Sequence, residues 1–283
     1  MGEPSKVVLI TGCSTGIGRA TAERLARGGH TVYATARRPK SIADLADAGC
    51  RTLALDVTDE ASMSAAVEDV VGEHGAVGVL VNNAGYSQSG AIETVAMDAL
   101  RRQFETNVFG LVRMCQLVLP GMRGQRWGRI VNLSSMGANF TFPGGGVYHA
   151  TKYAVEAISD ALRFEVKGFG VNVTVIQPGL IRTEFGTTAA AAVEDGDGPY
   201  AAFNASVAKA TTEVYEKGPL ARLGGDAEDV ARAIERAITR RSSRIRVRVT
   251  PSAHLLITQR RMMSAGLWDR FLATQFPRPG DRG

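Results

Sequence analysis

Six short runs of β-branched and apolar residues punctuate the chain up to about residue 180, each separated from the next by a helical pattern. Lys6–Ile10, Thr31–Ala36, Arg51–Leu55, Val77–Val81, Gly128–Ser134 and Val171–Ile176 are the predicted strands. Alanine-rich stretches at 16–28, 41–48, 59–74, 98–124 and 148–168 are the predicted helices. Strand–helix alternation at this spacing requires right-handed crossovers, and so parallel strands with helices on both faces. The strands are almost wholly apolar, as burial on two faces demands. The expected fold is α/β: a single doubly wound parallel sheet of about seven strands. A chain of 283 residues can hold it in one domain. With 45% hydrophobic and 22% charged residues, disorder and a disulfide scaffold are excluded.

Beyond residue 184 the pattern changes. Thr187–Ala192 is small and featureless, the stretch 194–198 is a loop signal, and a weak helix is expected at about 200–216. We read about 184–225 as a variable lid. Asp226 is placed to cap a helix running to about Arg240, with Glu228 and Asp229 in its first turn. Arg244–Thr250 alternates Arg with Ile or Val and suggests a last, edge-like strand. Residues 1–250 thus form the expected core domain, and 251–283 a basic amphipathic extension packed on it. The extension shows Leu255, Met262, Leu267, Trp268 and Phe271, and is ended by Pro277 and Pro279.

Charge is unevenly spread. The chain carries +5, but residues 236–283 alone hold eleven Arg and two Asp, which leaves −4 for the rest. Such a tail could touch nucleic acid or anionic lipid, or be a solvated face with Arg lying over apolar surface. We expect it to pack on the protein and bind no nucleic acid, with peripheral membrane contact as the open alternative. No apolar run reaches the ~18–20 residues of a membrane helix. The N-terminus lacks a signal-like basic region, so a cytoplasmic location with reduced Cys13, Cys50 and Cys115 is expected. The four His and three Cys have no ligand spacing, and no metal site is expected. His149 is read as structural.

The first predicted strand runs into Thr11-Gly-Cys-Ser-Thr-Gly-Ile-Gly18, and a helix follows. Glycines at 12, 16 and 18 allow a tight turn, close approach of a pyrophosphate and close helix–strand packing. Folds of this kind that prefer NAD place an acid at the end of the second strand. Here that strand ends in Ala36, followed by Arg37 and Arg38. Two guanidiniums and no carboxylate point to a 2′-phosphate, hence NADP(H).

Tyr148-His-Ala-Thr-Lys152 puts a phenol and an amine on one helical face. Ser135 closes the fifth strand, Asn82-Asn-Ala-Gly85 the fourth, and Pro178-Gly-Leu-Ile-Arg-Thr183 the sixth, with Asn107 in the helix between. The ends of parallel strands converge on one crevice, so these motifs face one site.

Taken together, Thr-Gly-x-x-x-Gly-x-Gly, Asn-Asn-Ala-Gly, Asn107, Ser135, Tyr-x-x-x-Lys and the Pro-Gly segment resemble the short-chain dehydrogenase/reductase family over about residues 6–250, with a Rossmann-like fold. The resemblance implies Tyr148 as general acid or base, Lys152 holding the nicotinamide ribose and lowering the phenol's pKa, Ser135 on the substrate oxygen, and Asn107 holding a water. It implies a phosphate loop of Thr11, Gly12, Ser14, Thr15, Gly16, Ile17 and Gly18. Asp56 and Val57 would meet the adenine, Asn83, Ala84 and Gly85 would line the cofactor, and Pro178, Gly179, Ile181 and Thr183 would hold the carboxamide. Thr15 departs from the pattern of many NADP-using relatives, which carry a base there. The family spacing selects Ser135 over Ser134.

Substrate contacts are expected from Met136–Val147 and the lid, with Phe140, Phe142, Phe185, Tyr200 and Phe203 as candidates. Their apolar character suits a lipophilic ketone or alcohol. The second strand and the tail look like the 17β-hydroxysteroid and retinol dehydrogenase branch. A homodimer or homotetramer is the family expectation. Two rivals stand beside an NADP(H) oxidoreductase: a catalytically silent NADP-binding sensor or scaffold, and a nucleotide-sugar epimerase. The intact Ser135, Tyr148 and Lys152 argue against the first, and Asn-Asn-Ala-Gly with a short substrate region against the second.

Overall fold

The computed structural model describes residues 3–191, 198–216, 218–241 and 244–280. Most of the 194–198 loop signal lies outside these residues. Seven strands form one parallel sheet: β1 (Val8–Ile10), β2 (Val32–Ala36), β3 (Arg51–Ala54), β4 (Val79–Asn82), β5 (Gly128–Leu133), β6 (Val171–Pro178) and, at the edge, Arg246–Val249. The edge strand pairs with β6, Pro178 opposite Val249. The order is β3-β2-β1-β4-β5-β6-edge, so the chain reverses direction across the sheet between β1 and β4.

Alternation along β1 sorts the core. Val8 and Ile10 point to one face, where α1 (Gly16–Arg27) brings Ala22 and Leu25, and Val230 and Ile234 of a later helix join them. Val7 and Leu9 point to the other, against Met63 and Val70 of α2 (Glu60–His74) and Met114 and Val118 further on. The predicted helix at 98–124 is three pieces: α3 (Met97–Phe104), a π-helical turn at Glu105–Phe109, and α4 (Gly110–Gly124). Residues 39–46 form a 3₁₀ helix, not the expected α-helix. α5 (Gly146–Val166) carries Tyr148 and Lys152 across the sheet.

Past β6 the short strand β7 (Ile181–Arg182) pairs with β8 (Gly225–Asp226). Between them lie α6 (Phe185–Ala191), α7 (Ala201–Glu216) and α8 (Gly218–Arg222). Asp226 caps α9 (Ala227–Thr239) in a reciprocal box: its Oδ1 accepts from the Asp229 N–H at 3.0 Å, and Asp229 Oδ2 accepts from the Asp226 N–H at 3.2 Å. The edge strand, now β9, leads to α10 (Pro251–Met262) and α11 (Ala265–Ala273).

Of the apolar tail residues singled out in the sequence, Trp268 is buried and Phe271 partly so, while Leu256 and Ile257 are buried in place of Leu255, Met262 and Leu267. Leu256, Ile257 and Trp268 pack with Met136, Phe140 and Leu180, and Phe271 lies partly buried against them. Met262 is 82% exposed, and Leu255 and Leu267 are each about half exposed. The break at Met263–Ser264 sets the two helices in separate registers, so no single apolar stripe runs through the tail. Of the tail arginines, Arg246 is drawn to Glu156 (2.7 Å) and Asp160 (2.5 Å), and Arg260 stands over the Trp268 ring at 5.8 Å.

His149, on α5, pins the segment 137–142. Its Nδ1–H donates to the Gly137 carbonyl at 2.7 Å, and its Nε2 accepts from the Phe142 N–H at 3.3 Å. That pattern needs the neutral ring, and burial holds its pKa below the usual histidine value. Below about pH 6.5 the unfolded chain takes up a proton that folded His149 refuses, so this site costs stability as pH falls. Tm is expected to drop between pH 7 and 5.5, and His149→Gln to flatten the drop. Parallel Tm profiles by calorimetry would contradict it.

Candidate active site

One cavity of about 1510 Å³ opens at the C-terminal ends of the strands. It exceeds the ~300–1,000 Å³ of a drug-sized pocket, so it has room for a dinucleotide beside a second molecule. Gly12, Ser14, Thr15, Gly16, Ile17, Arg37, Asp56 and Val57 line one end. Asn83, Ala84, Gly85, Pro178, Gly179, Ile181 and Thr183 line the middle. Ser135, Tyr148 and Lys152 stand beyond them, with Phe140, Phe142 and Phe185.

The glycine turn fits a pyrophosphate. Gly12 and Gly16 have φ of +74° and +58°, values that side chains resist. A Cβ on Gly12 would lie 2.9 Å from the Ala84 Cα, so the turn sits directly on the end of β4. Helix α1 starts at Gly16 without a side-chain cap from Thr15, leaving its first N–H groups for an anion. Gly18 serves packing instead: a Cβ there would fall 2.3 Å from the Gly12 carbonyl oxygen and 2.4 Å from Asn83 Nδ2.

Several expected residues are off the wall. Thr11 is buried, and its hydroxyl accepts from the N–H groups of Asn83 and Ala84, both at 3.0 Å. Arg38 is not among the lining residues and sits at the N-cap position of the 3₁₀ helix. Asn107 lies in the π turn, 2% exposed. Its Oδ1 accepts from the Tyr86 N–H at 3.1 Å, and its Nδ2 donates to the Tyr86 carbonyl at 2.9 Å and to Thr151 Oγ1 at 3.1 Å. That side chain holds the backbone after β4 and ties it to α5. Tyr200 instead donates to Glu93 at 2.6 Å, and Phe203 packs in a satellite cluster with Ala91 and Val207. Both were legible only as aromatic, with no periodic signal to aim them.

The reverse also holds. Arg102 of α3, Tyr86, Tyr215 of α7, Leu220, Leu256 and Phe271 line the cavity though no motif marked them. Arg37 and Arg102 both act electrostatically on the Tyr86 phenol, lowering its pKa against the effect of burial. Neither forms a salt bridge among the described residues.

At the centre, burial pushes the Tyr148 phenol well above its usual pKa, and a hydrogen bond with the Ser135 side chain partly offsets this. Ser135 Oγ also accepts from the Gly137 N–H at 3.1 Å. Lys152 donates to the Leu133 carbonyl at 2.8 Å and stands 5.7 Å from the centre of the Tyr148 ring. Burial brings its pKa down to about 8, and Glu156 one turn on pulls it upward. The amine thus stands over the phenol ring, and burial is the largest influence on both groups.

A family model described as short chain dehydrogenase matches residues 6–194. The 3-ketodihydrosphingosine reductase of Bacteroides thetaiotaomicron is 43% identical over 181 residues, covering 64% of this chain and 65% of that protein. The crystal structure of a short-chain dehydrogenase from Streptomyces avermitilis superposes with a TM-score of 0.77 and 34% identity, covering 96% of this chain and 95% of the other. A closed form of serine dehydrogenase complexed with NADP+ gives a TM-score of 0.75 at 29% identity, covering 87% and 94%. With the doubly wound sheet and the strand-end cavity, these likenesses make the chain an oxidoreductase of the short-chain dehydrogenase family.

Proposed function

We propose that this chain is an NADP(H)-dependent reductase or dehydrogenase that interconverts a ketone and a secondary alcohol, or an aldehyde and a primary alcohol, on a lipophilic substrate. One observation carries the reading: Tyr148, Ser135 and Lys152 stand together on the wall of the cavity whose far end is the glycine turn. A nicotinamide bound there supplies or accepts the hydride. The protein supplies orientation and the proton.

The residues divide that work. Gly12, Ser14, Thr15, Gly16 and Ile17 would hold the pyrophosphate, Asp56 and Val57 the adenine, and Ile181 and Thr183 the carboxamide. Lys152 spends one donor on the Leu133 carbonyl and keeps others for the ribose hydroxyls. Tyr148, held protonated by burial, is suited to give its proton to the carbonyl oxygen as negative charge builds there. With its oxygen held by the Gly137 N–H, Ser135 can turn its one proton from the Tyr148 oxygen to the same carbonyl oxygen when substrate enters. Asn107 acts as a positioning residue through Tyr86 and Thr151. Neutral and buried, the phenol suits reduction; oxidation needs a positive charge nearby to stabilise the phenolate.

Apolar walls from Phe140, Phe142, Phe185, Leu220 and Phe271 support a lipophilic substrate, in line with the name of the Bacteroides relative. Arg37 and Arg102, which form no salt bridge among the described residues, support NADP over NAD by offering two cations to a 2′-phosphate.

Tyr148→Phe is expected to lower kcat for carbonyl reduction by about 10²–10⁴ while NADPH binding by fluorescence holds; a variant with more than a tenth of wild-type turnover would remove Tyr148 from the chemistry. Reduction should also weaken as pH rises past about 8, where Lys152 loses its proton; a flat kcat/KM profile from pH 7 to 9.5 would contradict a charged Lys152. Replacing Arg37 by Ala should raise KM for NADPH roughly ten- to a hundred-fold and leave that for NADH unchanged. Equal weakening of both cofactors would show that Arg37 does not read the phosphate.

A further inference from the structure

Tyr215 lies at the far end of α7, inside the cavity's apolar end. Its ring packs beside the cluster of Met136, Phe140, Leu180, Leu256 and Trp268. The slot is shaped for it: a Cβ on Gly186 of α6 would stand 2.9 Å from the ring carbons Cδ2 and Cε2. A phenylalanine would fill such a slot equally well, so packing alone does not call for the hydroxyl. That hydroxyl makes no hydrogen bond with any described residue. Tyr215 keeps part of its surface open, and the space it borders is the cavity. Tyr148 lines the same cavity. Burial raises Tyr215 itself to about 12, so it is neutral near pH 7 and both donates and accepts.

A neutral, unpartnered hydroxyl in an apolar wall is a specificity device. It favours ligands that supply a partner and is indifferent or adverse to those that do not. We propose that Tyr215 recognises the substrate by hydrogen-bonding a second polar group, a hydroxyl or an amine, carried a few bonds from the carbonyl that meets Tyr148. The substrate class is then a lipophilic ketone bearing such a group and not a plain hydrocarbon ketone. This rests on the reading of Tyr148 as the group at the reacting carbonyl.

The test pairs Tyr215→Phe with two long-chain ketones of one carbon skeleton, with and without a β-hydroxyl, and NADPH as reductant. Wild type should favour the hydroxyketone, and the variant should lose about three- to tenfold in kcat/KM for it, through KM, with the plain ketone unchanged. Equal effects on both ketones, or none on either, would overturn the proposal. Binding of the matching monoalcohol and diol, followed by tryptophan fluorescence because Trp268 sits in the same cluster, judges Tyr215 without turnover. A diol preference present in wild type and lost in the variant supports the proposal, even if no ketone is reduced and the reading of the reaction fails. A preference that survives Tyr215→Phe, or is absent from wild type, overturns it.

Discussion

Parallel strands buried on both faces cannot be joined by tight turns; each must return through a helix on one side or the other. In this chain that constraint puts the C-terminal ends of β1, β2, β4, β5 and β6 along one rim. Between β1 and β4 the chain reverses its direction across the sheet, and the rim opens there into a crevice. The glycine turn after β1, Arg37 after β2, the Asn-Ala-Gly after β4 and the serine after β5 reach one cavity for this reason alone. Helix α5 then crosses the rim with Tyr148 and Lys152 already in step on one face.

Burial decides the electrostatics of that cavity. Tyr148 and Lys152 are both withdrawn from water, and withdrawal disfavours whichever form is charged. The phenol moves up and the ammonium comes down to about 8. A hydrogen bond from Ser135 and the charge of Glu156 act against these shifts without cancelling them. Glu156 is itself fixed by Gln177 of β6 at 2.9 Å and by Arg246 of the edge strand. The carboxylate beside the central lysine is thus held by the last strand of the sheet, 90 residues away in the chain.

The substrate end is built differently. The segment after β5 has little regular structure and is fastened from outside, by His149 beneath it and by Trp268 beside it. Trp268 donates to the Thr141 carbonyl at 3.4 Å, and its ring lies within about 6 Å of those of Phe140 and Phe142. The tail thus closes the apolar end of the cavity, while Met262 and Leu267 remain on the surface.

The fold and the centre of the site were legible because their signals are local. Period-two and helical patterns, the spacing of three glycines and the i, i+4 pair Tyr148 and Lys152 each depend on neighbours in the chain, and all seven strands lie where such patterns put them. The edges of the site were not legible, because they depend on contacts between distant segments. Asn107 is turned onto the backbone of Tyr86 by a π turn that no residue pattern announces. Tyr200 and Phe203 share the aromatic character of Phe185, yet packing against Glu93 and Ala91 takes them from the cavity, while Tyr215 and Phe271 are carried into it. The sequence by itself determined the doubly wound sheet, through local periodicity, and pointed to Ser135, Tyr148 and Lys152 through motifs that resemble the short-chain dehydrogenase family. Only the tertiary structure decided which side chains wall the cavity and which charge states they hold, since burial belongs to the packed molecule and not to any stretch of chain.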